Sequence, residues 1–410
     1  SFTSLFDGKT LNGWTNVNKV GVGYVVKDGV LVCPEDGGGN LVTEKEYTDF
    51  ILRLDFKLTP GANNGVALRA PLDSEDLTYV GNEIQILDDP APEYKNLLRG
   101  QNCGSLYRIL PAKRGAVKAA GEWNSYEITA VGRKIKVKLN GQVVVDGNLN
   151  DVTDPEILQT HPGLLREKGR VGFLGHKSHV EFRNIRIKEL PKYYETENFA
   201  PPGFTRLFDG RDLIGWKGLV ADPIKRAKMS PEELAREQAK ADALMRQNWK
   251  VENHTLVYRG KAFDNICSEK DYGDFELLVD WKVEPKGDSG IYLRGSPQVQ
   301  IWEPKSGGFD PKHPGSGGLF NNQKSPNYAS QSADHYAGEW NRFRILMIGD
   351  KVHVFLNNEL VVNNETLENY WDRKQSIFPT GAVELQAHHD PVQFRNIYIR
   401  EIARSETKKK

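Results

Sequence analysis

A histidine, an arginine and a set of carboxylate or amide side chains recur at corresponding places in the two halves of the chain. In the first half they are Arg69, Glu83, Gln85 and His176; in the second, Arg294, Gln298, Gln300, Gln386 and His388. Groups of these types serve proton transfer, anion stabilisation or recognition of hydroxyls. Strand parity puts them on one side, because alternate residues of an extended chain face opposite ways. Val66 and Leu68 take the core, so Arg69 faces away; Ile84 and Ile86 leave Glu83 and Gln85 opposite; Val171 and Phe173 leave His176 outside. The second half repeats the pattern. Ile291 and Leu293 oppose Tyr292 and Arg294, Val299 and Ile301 oppose Gln298, Gln300 and Trp302, and Val383, Leu385 and Ala387 oppose Glu384, Gln386 and His388. An acid follows the third of these strands in both halves, Asp88 and Glu303. A curved sheet carrying such a face would form a polar groove.

Other constellations carry less. Adjacent histidines such as His388 and His389 point to opposite faces of a strand, and no third ligand is fixed by spacing, so no metal site is expected. Glu122 and Glu339 each precede a Trp and an Asn at a strand start, a pattern read here as structural. There is no GxSxG, phosphate loop, dinucleotide fingerprint or EF-hand loop, and no cofactor is expected, a metal ion being the one left open.

The elements that position these residues come in duplicate. FTSLFDGKTLNGW (Phe2 to Trp14) recurs as FTRLFDGRDLIGW (Phe204 to Trp216), and TEKEYTDF (Thr43 to Phe50) as SEKDYGDF (Ser268 to Phe275). NNGVALR (Asn63 to Arg69) returns as DSGIYLR (Asp288 to Arg294), GEWN at 121–124 returns at 338–341, and FRNI at 182–185 returns at 394–397. Two domains, 1–197 and 203–405, follow, with a linker at 198–202 and a tail at 406–410. Period-two runs fill both: Leu52, Leu54, Phe56 and Leu58 alternate with charged residues, as do Ile135, Val137 and Leu139 before an Asn140-Gly141 turn. The fold class expected is all-β, two tandem antiparallel β-sandwiches. The repeats drift apart between Trp216 and Trp249, which places an insertion at about 223–247. Ser230-Pro231-Glu232-Glu233 caps a helix-forming run there, so one helix is expected over Pro231 to Gln247, read as a solvated surface helix rather than a lid.

Composition excludes several classes. The 55 Lys+Arg balance 55 Asp+Glu, leaving no basic field for nucleic acid. No uncharged apolar run approaches the roughly 20 residues of a membrane span. Cys33, Cys103 and Cys267 are too few and too scattered for a disulfide framework or a zinc site, and are expected as buried thiols. The start at Ser1, without Met or a signal sequence, carries the expectation of a presequence removed or trimmed.

Taken in order, LFDG with the following GW, the EY/DY and DF element, NxG before LR, EIQI or QVQIW, GEWN, LxxH and FRNI resemble the 3-keto-disaccharide hydrolase domain family, once per half. The first copy carries GNEIQILD, with Leu174 where that family has Gln; the second carries GSPQVQIW, LENYWDR, IFP and LQAHH. The resemblance implies a concanavalin-like jelly roll in each domain, a carbohydrate substrate, and a periplasmic or surface location in bacteria. It also implies a reaction. A ketone at C3 of a hexose acidifies the C2 hydrogen, so a base can remove it, the group at C1 can leave, and water can add. On that implication His176 or His388 is the base, Arg69 or Arg294 serves the enolate oxygen, and Glu83 or Glu303 is the acid. Gln85, Asp88, Gln298, Gln300, Trp302 and Gln386 are left to hold the sugar. Two other readings stay open: a two-carboxylate glycosidase using Glu83 and Asp88, and a pair of carbohydrate-binding modules in which Trp302 stacks on a sugar ring.

Overall fold

The computed structural model describes residues 1–72, 76–191, 198–303 and 314–403, apart from the side chain at 165. The expected tail and the end of the first domain, 192–197, lie outside the described residues. The chain divides into two compact units, Ser1–Tyr193 and Tyr194–Lys410.

Among the described residues each unit has one eight-stranded and one five-stranded antiparallel sheet. In the first unit Phe50–Leu58 is central to the larger sheet, between Trp123–Val131 and Val180–Glu189. Its burial alternates strictly, as its sequence does, so Leu52, Leu54 and Phe56 enter the core while Arg53, Asp55 and Lys57 stay outside. The smaller sheet runs Trp14–Val20, Gly38–Thr43, Arg170–Gly175, Asn63–Ala70, Asn82–Leu87. Its inner face meets the larger sheet through Phe173, whose ring stacks 3.9 Å from Phe182. In the second unit the smaller sheet runs Trp216–Gly218, Ile266–Ser268, Glu384–Leu385, Asp288–Leu293, Ser296–Trp302. Trp249, Trp281, Phe343 and Phe394 fill the core beneath it.

The repeated motifs fold as turns and locks. Asp7 accepts from the amides of Lys9 and Thr10, and these bonds hold its carboxyl down to about 2. The Trp14 indole then donates to the Leu5 carbonyl at 2.7 Å, and Trp216 repeats this on Leu207. The GEWN amides have the same duty in both units. Asn124 and Asn341 receive Nδ2 of Asn140 and of Asn357, and the Trp123 and Trp340 rings lie under Arg183 and Arg395. Asn198, grouped with the linker by its sequence, exchanges backbone-to-side-chain bonds with Asn396 inside the second unit. The three cysteines are buried and free.

The inserted helix spans Pro231–Asn248, with Ser230 Oγ accepting from Glu233 N, and a single turn, Pro223–Arg226, precedes it. It is more than a solvated surface helix. Its Asp242 accepts from Gly218 N at 2.9 Å, and Gln238 donates to Gly218 O at 2.8 Å, so it seals the outer edge of the smaller sheet. Gly218 permits this approach, since a Cβ there would lie 2.2 Å from the backbone of Ala241.

Candidate functional site

In the first unit the outer face of the smaller sheet carries Glu83, Gln85 and His176. Glu83 is 3% exposed, accepts from Thr78 Oγ1 at 2.7 Å, and has its other oxygen 3.9 Å from His176 Nε2. The nearby carboxylate raises the pKa of the half-exposed imidazole above its usual value. Gly65 makes room for that carboxylate, because a Cβ there would sit 2.0 Å from Glu83 Oε1. Gln85 lies opposite Gly65 in register and donates to the Gln101 carbonyl at 3.2 Å. The floor beneath is apolar: Val17, Val42, Ala67 and Leu174 pack against Leu77 of the short helix Leu77–Val80. Leu174 is thus explained as the residue on which that helix seats.

In the second unit the same face is polar throughout. Gln300 lies opposite Gly290 as Gln85 lies opposite Gly65, and Gln298 therefore takes the place of Glu83. The acid has moved to Asp288, whose Oδ2 is 3.9 Å from His388 Nδ1 and whose Oδ1 accepts from Gln300 Nε2 at 2.9 Å. Burial raises the pKa of Asp288, against the pull of His388 and Gln300. Gln298 donates to Gln300 Oε1, and Gln386 donates to the Tyr292 hydroxyl. The Oε1 atoms of Gln298 and Gln386 are buried without a partner, and both lie within 3.1 Å of the place a Cβ on Gly290 would occupy. Two bare acceptors on a glycine floor suit the hydroxyls of a sugar. Trp302 lies opposite Asp288 and is partly exposed.

Glu384, 1% exposed, is the strongest group on this face that spacing does not mark. It pairs in register with Tyr292, its Oε2 has no partner, and burial pushes its carboxyl up to about 8 despite Arg226. It is therefore protonated at neutral pH and can donate a proton. Parity places Glu384 and Tyr292 on this face, but only the fold shows Glu384 buried and Asp288 beside the histidine.

Four of the expected residues do other work. Arg69 and Arg294 leave the face because each sits at positive φ, 51°, where the strand bulges and alternation ends. The Arg69 guanidinium donates to the carbonyls of Thr48, Gly132 and Arg166 and to Asp49, while Arg294 donates to Gly273, Phe378 and Asp274. Asp49 and Asp274 also receive a backbone amide each, from Gly132 and Gly349. These arginines pin the sheet ends, turned away from the face that strand parity assigned to them. Asp88 accepts from Gly61 N at 2.8 Å, and Glu303 accepts from Lys286 N at 3.5 Å, so both acids brace the connection that carries the chain from the larger sheet into the smaller one.

Among the described residues no group of three His, Cys, Asp or Glu is placed to hold a metal ion, and His389 is tied to the Lys261 carbonyl.

Antiparallel β-sandwiches of this kind, with the family match that follows, make the chain a glycoside hydrolase-like enzyme. The chain belongs to the family of the 3-keto-alpha-glucoside-1,2-lyase-like domain, which matches residues 1–188 and again residues 203–400. It is 26% identical over 227 residues to a 3-keto-disaccharide hydrolase of Bacteroides thetaiotaomicron, an overlap of 46% of this chain and 78% of that protein. A candidate glycosyl hydrolase structure from Parabacteroides distasonis is 32% identical, covering 46% of this chain and 100% of its own, with a TM-score of 0.42. A carbohydrate-binding module from Bacillus subtilis is 15% identical over 43% of this chain and 96% of its own, with a TM-score of 0.30.

Proposed function

We propose that the chain cleaves 3-keto-glucosides by elimination followed by hydration. The observation that carries this reading is the histidine–carboxylate pair, held at 3.9 Å in both units although the carboxylate comes from Glu83 in one and Asp288 in the other. A pair that survives the relocation of its acid is a functional unit rather than inherited surface. The histidine takes the C2 proton of the sugar, the C3 ketone receives the charge as an enolate, and the bond from C1 to the leaving oxygen breaks. Glu384 supplies the proton for that oxygen in the second unit. Water then adds to the enone at C1, and the enolate regains a proton at C2, giving the free 3-keto sugar. The bare amide oxygens of Gln298 and Gln386 receive sugar hydroxyls, and the Tyr292 hydroxyl replaces the expected arginine beside the developing charge. In the first unit Asp88 is engaged by the Gly61 amide, which favours the elimination reading over a two-carboxylate one.

The test is direct. Given an intact α-glucoside disaccharide and its 3-keto form, the protein should release monosaccharide from the keto form alone. Release from both would return the bet to paired carboxylates, and binding without release would make the units lectins. An exported location fits this reading, and no helix among the described residues is long and apolar enough to cross a membrane.

The raised pKa of His176 gives a pH prediction. Only the neutral imidazole is a base, so first-unit activity rises as pH climbs through a value above the ordinary 6.5. Glu83→Gln, made in a chain carrying His388→Ala, removes the charge that holds the proton. The acid limb of kcat/KM against pH should then move to lower pH, and an unmoved limb would show that the pair does not govern the base.

A further inference from the structure

A cavity opens in the first unit where the short helix Leu77–Val80 meets segments 98–111 and 156–161. It encloses about 770 Å³ and is lined by Tyr79, Arg99, Arg108, Glu156, Thr160 and His161 together with apolar residues. Arg99 and Arg108 are exposed, whereas His161 is buried. His161 is 6% exposed, its Nδ1 faces the Ile157 carbonyl at 3.1 Å, and its ring stands 4.9 Å from that of Tyr79. With Nδ1–H donating there, Nε2 is a neutral acceptor, and it is buried at the cavity wall with no partner. The same wall bears two guanidiniums against the single carboxylate of Glu156, and among the described residues neither Arg99 nor Arg108 has an acid within ion-pair distance.

The cavity is tied to the reacting centre through the backbone. Tyr79 follows Thr78, which donates to the Glu83 carboxylate, and Arg108 follows Tyr107, whose amide donates to the Glu83 carbonyl. Both cavity residues therefore stand one peptide, about 3.8 Å of chain, from a group bonded to Glu83. The helix that carries Thr78 and Tyr79 and the segment that carries Tyr107 and Arg108 therefore serve both the cavity and Glu83.

We infer that this cavity receives the leaving group of the substrate, and that the leaving group it selects is a ring bearing a carboxylate. The ring lies against Tyr79, the carboxylate meets Arg108 and Arg99, and a neighbouring hydroxyl donates to His161 Nε2. The inference rests on the elimination reading for its placement of the leaving group, but not for the anion site. The second unit lacks the loop sequence that builds this wall, so the selectivity belongs to the first.

The experiment is calorimetric binding to the full chain of two unreactive probes, 4-carboxyphenyl α-glucoside and its uncharged carboxamide. The carboxylate should bind about 10-fold more tightly at low salt, as one well-placed guanidinium contact provides. Arg108→Gln should bring the ratio close to one, and Arg99→Gln should lower it partway. Because the two probes are compared on the same variant, a general loss of folded protein cancels. Equal affinities for the wild type, or a ratio untouched by both substitutions, overturns the proposal. The 3-keto forms of both probes separate the two readings: an intact ratio with cleavage of neither sinks the elimination chemistry and leaves the anion site standing.

Discussion

With His176 and His388 both replaced by alanine, cleavage of a 3-keto-glucoside should fall by about 10²–10⁴-fold, the range that a positioned general base contributes. The loss should appear in kcat, because the base acts on the C2 proton in the transition state while the amides hold the sugar before and during it. Gln300→Ala is the contrast. Its amide steadies Asp288 and Gln298, and its removal should chiefly raise KM. Each single histidine variant lowers turnover only by the share of its own unit, so the two singles apportion the activity between the copies. The second unit is expected to hold the larger share. Its face combines Asp288, His388, Tyr292 and a protonated Glu384, whereas Leu174 and Leu77 put an apolar floor beside Glu83 in the first. Glu384→Gln should then cost activity in the His176→Ala chain, since an amide has no proton to give the leaving oxygen. Near wild-type turnover in the double histidine variant would remove histidine as the base.

Arg294→Ala should destabilise the second unit by about 3–5 kcal/mol, the cost of leaving a buried charge without its partner. Arg294 is 2% exposed, the carboxylate of Asp274 lies 2.8 Å away, and two further donors of the same guanidinium hold the Gly273 and Phe378 carbonyls. At about 2–4 °C per kcal/mol for a unit of this size, the melting transition should drop by roughly 10 °C. Arg69→Ala should do the same to the first unit, through Asp49. A residue that merely bound an enolate would behave otherwise: its loss would spare the melting temperature and abolish turnover. Calorimetry on the two variants therefore decides between the pin described here and the oxyanion role that strand parity suggested.

The bulge at these arginines also marks the boundary of what the chain reveals unaided. The duplication is written in the repeats, and the antiparallel sandwiches in runs such as Phe50–Leu58, where polar and apolar residues alternate. Both are local properties, because the geometry of an extended chain turns every second side chain the same way whatever it packs against. The same rule put Glu83 and His176 on one face, and they meet there. It fails at Arg69 and Arg294, where a positive φ, which a string of residue names does not display, rotates the side chain off the face. It is silent on distance as well. Asp288 and His388 stand 100 residues apart in the chain, and only the register between their strands makes them neighbours. Glu384 looks like any polar residue on a strand; burial next to Tyr292 and Cys267, which disfavours the charged carboxylate, is what makes it an acid at neutral pH. The sequence determined which face is polar, and the tertiary structure decided which polar groups are desolvated, paired or spent on holding the sheets together.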